Sequence, residues 1–198
     1  MSRPTRWVTE NSAKRSRAYI ERFRRLSDEG ADLAGEARMV DAMLPRASRV
    51  LDAGCGQGRV GAELATRGHD VTGVDADAEL IAAASADFPG PRWIVADLVG
   101  LDLAEHGDPG PFNAAVMAGN VMLFVAAGTE EQVLRGVADQ LRPDGFAVIG
   151  FAAGRGYELP DFDRHATAAG LVPEHRFATW DLRPWRSGAS FSVTVLRR

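Results

Sequence analysis

The chain has 198 residues, a net charge of −4 and a hydrophobic content of 45%, which fits a single domain of about 100–200 residues. The acidic balance argues against a general nucleic-acid binder. Lys14 is the only lysine, which excludes a phosphate-binding loop ending in Gly-Lys-Ser/Thr and the Tyr-x-x-x-Lys pair of short-chain dehydrogenases.

Several other classes of protein are also disfavoured. No apolar run reaches the roughly 20 residues that a membrane span needs, and the first residues lack the apolar core of a secretory signal. Cys55 is the only cysteine, so no intrachain disulfide can form. The four histidines and this cysteine show no metal-ligand spacing. We therefore expect a cytoplasmic protein without a metal or a membrane partner.

The amino-terminal segment is basic and helical. Residues 1–25 carry eight basic side chains and two acidic ones. An apolar stripe with helical spacing predicts a helix over 10–26, and a second short helix follows over 33–44. The stripe consists of Tyr19, Ile20, Phe23 and Leu26. We expect residues 1–45 to form an arm that covers a ligand cleft. The alternatives are packing on the back of the sheet or in a dimer contact. The basic face either is merely solvated or meets an anionic substrate or RNA.

Residues 46–198 alternate between strand and helix patterns and form the second predicted unit. Strands are predicted at 48–52, 71–75, 91–96, 112–118 and 146–151, with helices at 59–66, 77–86 and 129–141 and a short helix or loop at 98–103. A helix at 161–169 and a hairpin of strands 173–182 and 190–197 complete the chain. Such alternation predicts a doubly wound α/β fold with a mainly parallel sheet. The hairpin makes one of the seven strands antiparallel.

A glycine-rich loop follows the first predicted strand. The sequence from Asp52 to Gly58 reads Asp-Ala-Gly-Cys-Gly-Gln-Gly, and Asp75 lies nineteen residues after Gly56. Glycines before a helix let a ligand approach the backbone closely. The spacing also satisfies the dinucleotide fingerprint, so an NAD-binding oxidoreductase is one interpretation.

Two carboxylates favour a different ligand. Asp52 ends the first strand, where it would repel a pyrophosphate but attract the cationic amine and sulfonium of S-adenosylmethionine. Asp97 ends the third strand and can accept a hydrogen bond from an adenine amino group.

At this point the sequence resembles the class I S-adenosylmethionine-dependent methyltransferases of the small, single-domain bacterial type. The matching segments are VLDAGCGQGRVGAEL (50–64), GVDADAELI (73–81), WIVADL (93–98), AGNVM (118–122) and LRPDG (141–145). The resemblance covers about residues 46–198 and implies a Rossmann-like sheet with strand order 3-2-1-4-5-7-6. It departs from the family pattern at Gln57, where Thr or Ser is common, and at Asn113, where Asp often opens the fourth strand.

The resemblance implies a role for twelve residues in holding S-adenosylmethionine. The loop residues would lie along the methionine moiety, with an acidic residue nearby, and the later strand ends would hold the nucleoside and face the reactive end. The loop residues are Gly54, Cys55, Gly56 and Gly58, with Asp52 nearby; Asp75 would hold the ribose; Ala76, Asp97 and Leu98 would flank the adenine; Ala118, Gly119 and Asn120 would face the reactive end.

The methyl acceptor and any catalytic base are harder to predict. His69, His106 and His175 belong to the sheet edge opposite the ligand, and His165 lies within a late helix. The candidates for acceptor contacts are Tyr19, Arg22, Arg155, Tyr157 and Arg183. We expect a small-molecule acceptor. Methylation of RNA or protein, and a non-catalytic module that only binds S-adenosylmethionine, remain alternatives.

Overall fold

The computed structural model describes residues 4–10 and 13–198. Within them, seven strands form one sheet with the order β3-β2-β1-β4-β5-β7-β6, which confirms the predicted fold and strand order. The strands are Arg49–Ala53 (β1), Asp70–Asp75 (β2), Arg92–Val95 (β3), Phe112–Met117 (β4), Leu141–Ala152 (β5), Val172–Phe177 (β6) and Phe191–Arg197 (β7).

Helices connect the strands and cover both faces of the sheet. In the described part of the chain they are Arg6–Glu10 (α1), Ala13–Asp28 (α2), Gly35–Ala42 (α3), Arg59–Thr66 (α4), Ala78–Asp87 (α5), Val121–Phe124 (α6), Glu130–Gln140 (α7) and Leu159–Ala168 (α8), with a 3-10 turn at Leu103–His106. None of these helices is long and apolar enough to cross a membrane.

The sheet is parallel except at one strand. β1 pairs in parallel with β2 and β4, and β4 with β5. β7 is antiparallel to both of its neighbours, β5 and β6. The long carboxyl-terminal connection is a hairpin, which reverses the chain between β6 and β7. The carboxyl ends of β1, β2, β3 and β4 therefore meet at one edge of the sheet.

Two apolar layers hold the sheet between the helices. One layer contains Phe112, Ile149 and Leu134 of α7, all fully buried. The other contains Val50 of β1, Leu64 of α4 and Val40 of α3. Because the central strands are buried on both faces, their side chains are apolar on both sides. The packing of the central strands thus sets the position of the loops that follow them.

The arm packs against α5. Ile20 of α2 lies in a small apolar cluster with Leu80 and Ala83. Arg17 forms an ion pair with Glu79 at 3.2 Å, and Arg24 forms one with Asp87 at 2.9 Å. Part of the basic face of α2 is therefore matched by acidic groups of the same chain.

Several predicted boundaries are wrong. α2 runs to Asp28, a separate α1 precedes it, and residues 11–12 of the predicted helix lie outside the described residues. The 3-10 turn begins at Leu103 instead of 98, and the four-residue α6 was too short for its periodicity to show.

The late part of the chain also differs from the prediction. β5 begins at Leu141 instead of 146, and residues 142–145 form an irregularity within it, where Leu141 pairs with Phe112 and Phe146 with Ala114. β6 ends at Phe177, not at 182. α8 starts at Leu159 instead of 161, with Glu158 at the cap position and a proline in its first turn.

Candidate functional site

A cavity of about 470 Å³ lies at the carboxyl ends of the central strands. Its volume falls within the range of about 300–1,000 Å³ that is typical of small-molecule sites. Nine of the twelve residues expected around the ligand line its walls: Gly54, Gly56, Asp75, Ala76, Asp97, Leu98, Ala118, Gly119 and Asn120. The sheet topology thus brings together segments that are distant in sequence.

The glycine loop after β1 is held by the neighbouring strand. The backbone N–H groups of Gly54 and Cys55 donate to the Val74 carbonyl at 2.8 and 2.9 Å. Gly56 adopts a φ of +56°, and a Cβ there would have Tyr19, at 3.7 Å, as its nearest neighbour. Gly56 therefore keeps the backbone accessible from the cavity, in a conformation that favours glycine.

Gly58 and Cys55 do not line this cavity. A Cβ at Gly58 would lie 2.7 Å from Trp93 and 2.9 Å from Ala84, so its small size serves the packing of the loop against β3 and α5. The Cys55 side chain is half-buried, and its Sγ lies 3.6 Å from the Gly56 carbonyl oxygen. Burial of the thiol group raises its pKa, so it remains protonated at neutral pH.

Two strand-end carboxylates face the cavity. Asp75 accepts hydrogen bonds from the backbone N–H groups of Gly56 at 2.8 Å and Asp77 at 2.9 Å. Burial raises the pKa of Asp75. Asp97 accepts from the Val99 N–H at 3.0 Å. Carboxylate oxygens have further lone pairs, so both residues can accept hydrogen bonds from a ligand.

A second, smaller cavity of about 30 Å³ adjoins the glycine loop and is lined by Asp52 and Gln57, among others. Asp52 is 1% exposed and accepts a hydrogen bond from the Gly61 N–H at 2.8 Å. Burial raises the pKa of Asp52 to about 7. The buried Oε1 of Gln57 has no hydrogen-bond partner among the described residues. Two buried oxygen acceptors on one small cavity suit a cationic group.

Residues of α1 and α2 also line the cavity. Asp77, which caps α5 through its Oδ1, accepts hydrogen bonds at Oδ2 from Trp7 Nε1 at 2.9 Å and from Ser16 Oγ at 2.5 Å. Burial opposes ionisation, but these hydrogen bonds lower the pKa of Asp77. Asp77 stands two residues after Asp75. One ionised carboxylate therefore joins α1, α2 and α5 beside the ligand-facing end of β2.

The roof of the cavity is formed by the arm residues that line it: Thr5, Trp7, Arg15, Ala18, Tyr19 and Arg22. Its aromatic side chains pack against other rings. Trp7 makes edge-to-face contacts with Phe124 and Tyr19, with ring centroids 5.2 and 5.8 Å apart. The Tyr19 ring lies 4.8 Å from that of Phe23. Burial raises the pKa of Tyr19, so its hydroxyl stays protonated at neutral pH and can donate a hydrogen bond. The roof thus combines aromatic rings with the Tyr19 hydroxyl, which lies near Gly56, and with the guanidinium groups of Arg15 and Arg22.

Three residues near the two cavities, Arg59, Trp7 and Asp77, were not predicted from the sequence. Arg59 forms an ion pair with Glu36 at 2.6 Å, and its guanidinium lies 5.4 Å from the centroid of the Phe23 ring. Asp77 precedes a helix whose first turn carries Glu79, a typical signal of a helix start, but no sequence pattern indicates that a cap also receives a distant tryptophan.

The expected acceptor contacts separate into two groups. Tyr19 and Arg22 line the cavity, whereas Arg155, Tyr157 and Arg183 do not. Tyr157 is 7% exposed and lies in the apolar core, with its hydroxyl 2.9 Å from Nδ1 of His165. Arg183 is exposed and lies 3.3 Å from Asp181.

None of the four histidines, all of which lie in the described ranges, lines the cavity. The Oδ1 atom of Asn120 accepts the Ala152 N–H at 2.7 Å, so this side chain joins the ends of β4 and β5.

Comparison with known proteins shows similarity to methyltransferases in both sequence and fold. A family model described as a methyltransferase domain matches residues 50–145. A TehB-like SAM-dependent methyltransferase from Corynebacterium glutamicum is 45% identical, with a TM-score of 0.87; the match covers 93% of this chain and 98% of that protein.

Two further proteins are more distantly similar to this chain. A Bacillus subtilis protein named as a methyltransferase is 26% identical over 148 residues, which are 73% of this chain and 54% of that protein. The chain thus spans about half the length of this relative. The 1,6-didemethyltoxoflavin N1-methyltransferase of Burkholderia thailandensis is 22% identical and shares the fold, with a TM-score of 0.64 and coverage of 95% and 91% of the two chains.

The residues present fit S-adenosylmethionine. Asp75 and Asp97 offer acceptors for hydroxyl and amino groups, the loop at Gly56 leaves the backbone accessible, and the oxygens of Asp52 and Gln57 suit an ammonium group. An anionic pyrophosphate would instead meet the buried carboxylate of Asp52. Together with the near full-length similarity to the Corynebacterium protein, this shows that the chain belongs to the class I S-adenosylmethionine-dependent methyltransferases, with S-adenosylmethionine as the cofactor.

Proposed function

We propose that this protein transfers a methyl group from S-adenosylmethionine to a small-molecule acceptor in the cavity beneath α1 and α2. One observation carries the proposal: the glycine loop and the carboxylates of Asp75 and Asp97 form the walls of a cavity whose roof is the amino-terminal arm. The cofactor lies along the walls. The acceptor then occupies the space between the cofactor and the roof.

The proposed contacts with the cofactor follow the order of the strands. Asp75 holds the ribose hydroxyls, and Asp97, with Ala76 and Leu98, flanks the adenine. Gly54 and Gly56 lie along the methionine moiety, with its ammonium group near Asp52 and Gln57. Ala118, Gly119 and Asn120 border the reactive end.

The work of the protein in this reaction is to position groups and to exclude water. The bound cofactor supplies an electrophilic methyl group. Displacement at that group needs an aligned nucleophile, and positioning can supply much of the rate enhancement. Trp7, Val121 and Phe124 give the cavity apolar surfaces, which exclude competing water. We propose the arm as the lid that completes this enclosure.

The nature of the roof favours a small acceptor over RNA or protein. The arm is fastened to the body through Asp77 and through the ion pairs of Arg17 and Arg24, so these basic groups are engaged within the chain. The Burkholderia fold neighbour binds a small molecule, 1,6-didemethyltoxoflavin. We propose a cytoplasmic setting on the sequence argument alone.

Calorimetric titration tests the cofactor assignment. We expect S-adenosylhomocysteine to bind and NADH not to bind. We also expect affinity to be about tenfold lower at pH 6 than at pH 8, or about 1.4 kcal/mol. The sign follows from Asp52, whose pKa is about 7: its carboxyl must lose a proton to pair with the ammonium group, and that loss becomes costly below pH 7.

The variant Asp52→Asn is the control for this pH dependence. It keeps the shape of the side chain but cannot ionise, so its affinity should be lower at pH 8 and nearly constant between pH 6 and pH 8. Binding of NADH in preference to S-adenosylhomocysteine would contradict the proposed function. An unchanged pH dependence in the variant would remove Asp52 from the site.

A further inference from the structure

The arginines of α2 divide into two groups by their contacts. Arg17, Arg24 and Arg25 do not line the cavity and form ion pairs with Glu79, Asp87 and Glu29, respectively. Arg15 and Arg22 line the cavity instead, and in the described part of the chain neither forms an ion pair with a carboxylate.

The cavity-facing group forms one continuous stripe. Arg15, Ala18, Tyr19 and Arg22 all line the cavity, and their spacing of i, i+3, i+4 and i+7 places them on one side of a helix. Both guanidinium groups stay close to aromatic rings, 6.0 Å from Trp7 for Arg15 and 5.7 Å from Phe23 for Arg22. The aromatic contacts orient these groups but leave their N–H donors available to a ligand.

The surface beside this stripe is apolar. Trp7, Val121, Phe124 and Val125 line the same cavity. A bound molecule therefore meets aromatic and aliphatic side chains along with the two guanidinium groups.

The carboxylates that line the cavity, Asp75 and Asp97, belong to the ends of strands and not to the arm. Asp75 and Asp97 follow β2 and β3, and each already accepts backbone hydrogen bonds. In the proposed function they face the nucleoside of the cofactor. Two guanidinium groups without an acidic partner create a positive potential over the remaining space, which attracts an anion.

We propose that the methyl acceptor is a small organic anion, with a carboxylate or phosphate group on an aromatic or aliphatic body. Arg15 and Arg22 receive the anionic group, because guanidinium forks match both oxyanions. The apolar side chains around Trp7 and Phe124 hold the body. This inference rests on the proposed function, since it assigns the space that the cofactor leaves.

Matched probes can test the inference. Benzoate, phenyl phosphate and the uncharged benzamide are titrated separately into protein saturated with S-adenosylhomocysteine. We expect at least one anion to bind tenfold or more tightly than benzamide. The double variant Arg15→Gln, Arg22→Gln should reduce this preference to less than twofold. Arg25→Gln, on the same helix but outside the cavity, should keep it. Preference for benzoate or for phenyl phosphate distinguishes a carboxylate from a phosphate acceptor.

The other outcomes contradict the inference. Wild-type protein that binds S-adenosylhomocysteine but neither anion, or that shows no preference over benzamide, rules out an anionic acceptor. If the double variant keeps the preference but loses tenfold affinity for S-adenosylhomocysteine, the two arginines serve the cofactor carboxylate. Failure of S-adenosylhomocysteine to bind wild-type protein would overturn the proposed function and this inference together.

Discussion

Deletion of residues 1–28 should abolish methyl transfer, with a loss on the order of 100-fold or more, and leave affinity for S-adenosylhomocysteine within about tenfold. The reason lies in how the cavity is divided. Its cofactor-facing walls belong to the sheet, whereas Trp7, Arg15 and Tyr19 of the arm form the roof. Without the roof, water reaches the transfer site and the acceptor loses its contacts. The measurement is transfer of labelled methyl groups into a small-molecule extract, beside calorimetry.

Point variants separate loss of the lid from loss of folding, because the deletion also exposes Leu80 and Ala83 of α5. Trp7→Ala removes the hydrogen bond to Asp77 and the contact with Phe124, so it should lower transfer while melting changes little. Thr9→Ala, an exposed position on the same helix whose hydroxyl contacts only carbonyls of its own segment, should leave transfer unchanged. Normal turnover by the truncated protein would show that the arm is not a lid.

Substitution of Asp75 by alanine should weaken S-adenosylhomocysteine binding by about 1–3 kcal/mol, the cost of leaving the ribose hydroxyls without their acceptor. Asp70→Ala is the matched control: Asp70 begins the same strand, at the opposite edge of the sheet, and is engaged with Arg49 at 3.0 Å. Titration of both variants should show a loss for Asp75 alone.

Asp75 also holds the loop, since it accepts from the N–H groups of Gly56 and Asp77. Asp75→Asn retains one oxygen acceptor and should therefore lose less affinity than Asp75→Ala. Melting temperatures show whether each variant is folded. An unchanged dissociation constant in a folded Asp75→Ala protein would contradict the assignment of the ribose contact.

The fold could be predicted because its signals are local. Buried strands and the polar residues that end them recur in order along the chain, and parallel topology then brings Gly56, Asp75 and Asp97 to one edge. The contacts of the arm could not be predicted in this way. Trp7 and Ser16 meet Asp77 across 70 and 61 residues of sequence, and nothing in the local pattern of either segment indicates its partner.

Lateral position in the sheet explains why Arg183 lies away from the cavity. Arg155, Tyr157 and Arg183 follow β5 and β6, so the topology places them at the same edge as the glycine loop. The strand order puts β6 four positions from β1, which is about 19 Å at the usual spacing of strands. Residues at the same edge of the sheet therefore do not all belong to one site. Tyr157 follows β5 but packs in the core beside Phe162.

The most direct test of the central claim is the fate of a labelled methyl group. Full-length protein is incubated with methyl-labelled S-adenosylmethionine and a cell extract separated into small-molecule, RNA and protein fractions. We predict label in the small-molecule fraction, greatly reduced for Asp75→Ala at a limiting cofactor concentration and retained for Asp70→Ala. Label in the RNA or protein fraction would contradict a small-molecule acceptor, and no transfer to any fraction by protein that binds S-adenosylhomocysteine would contradict catalysis itself.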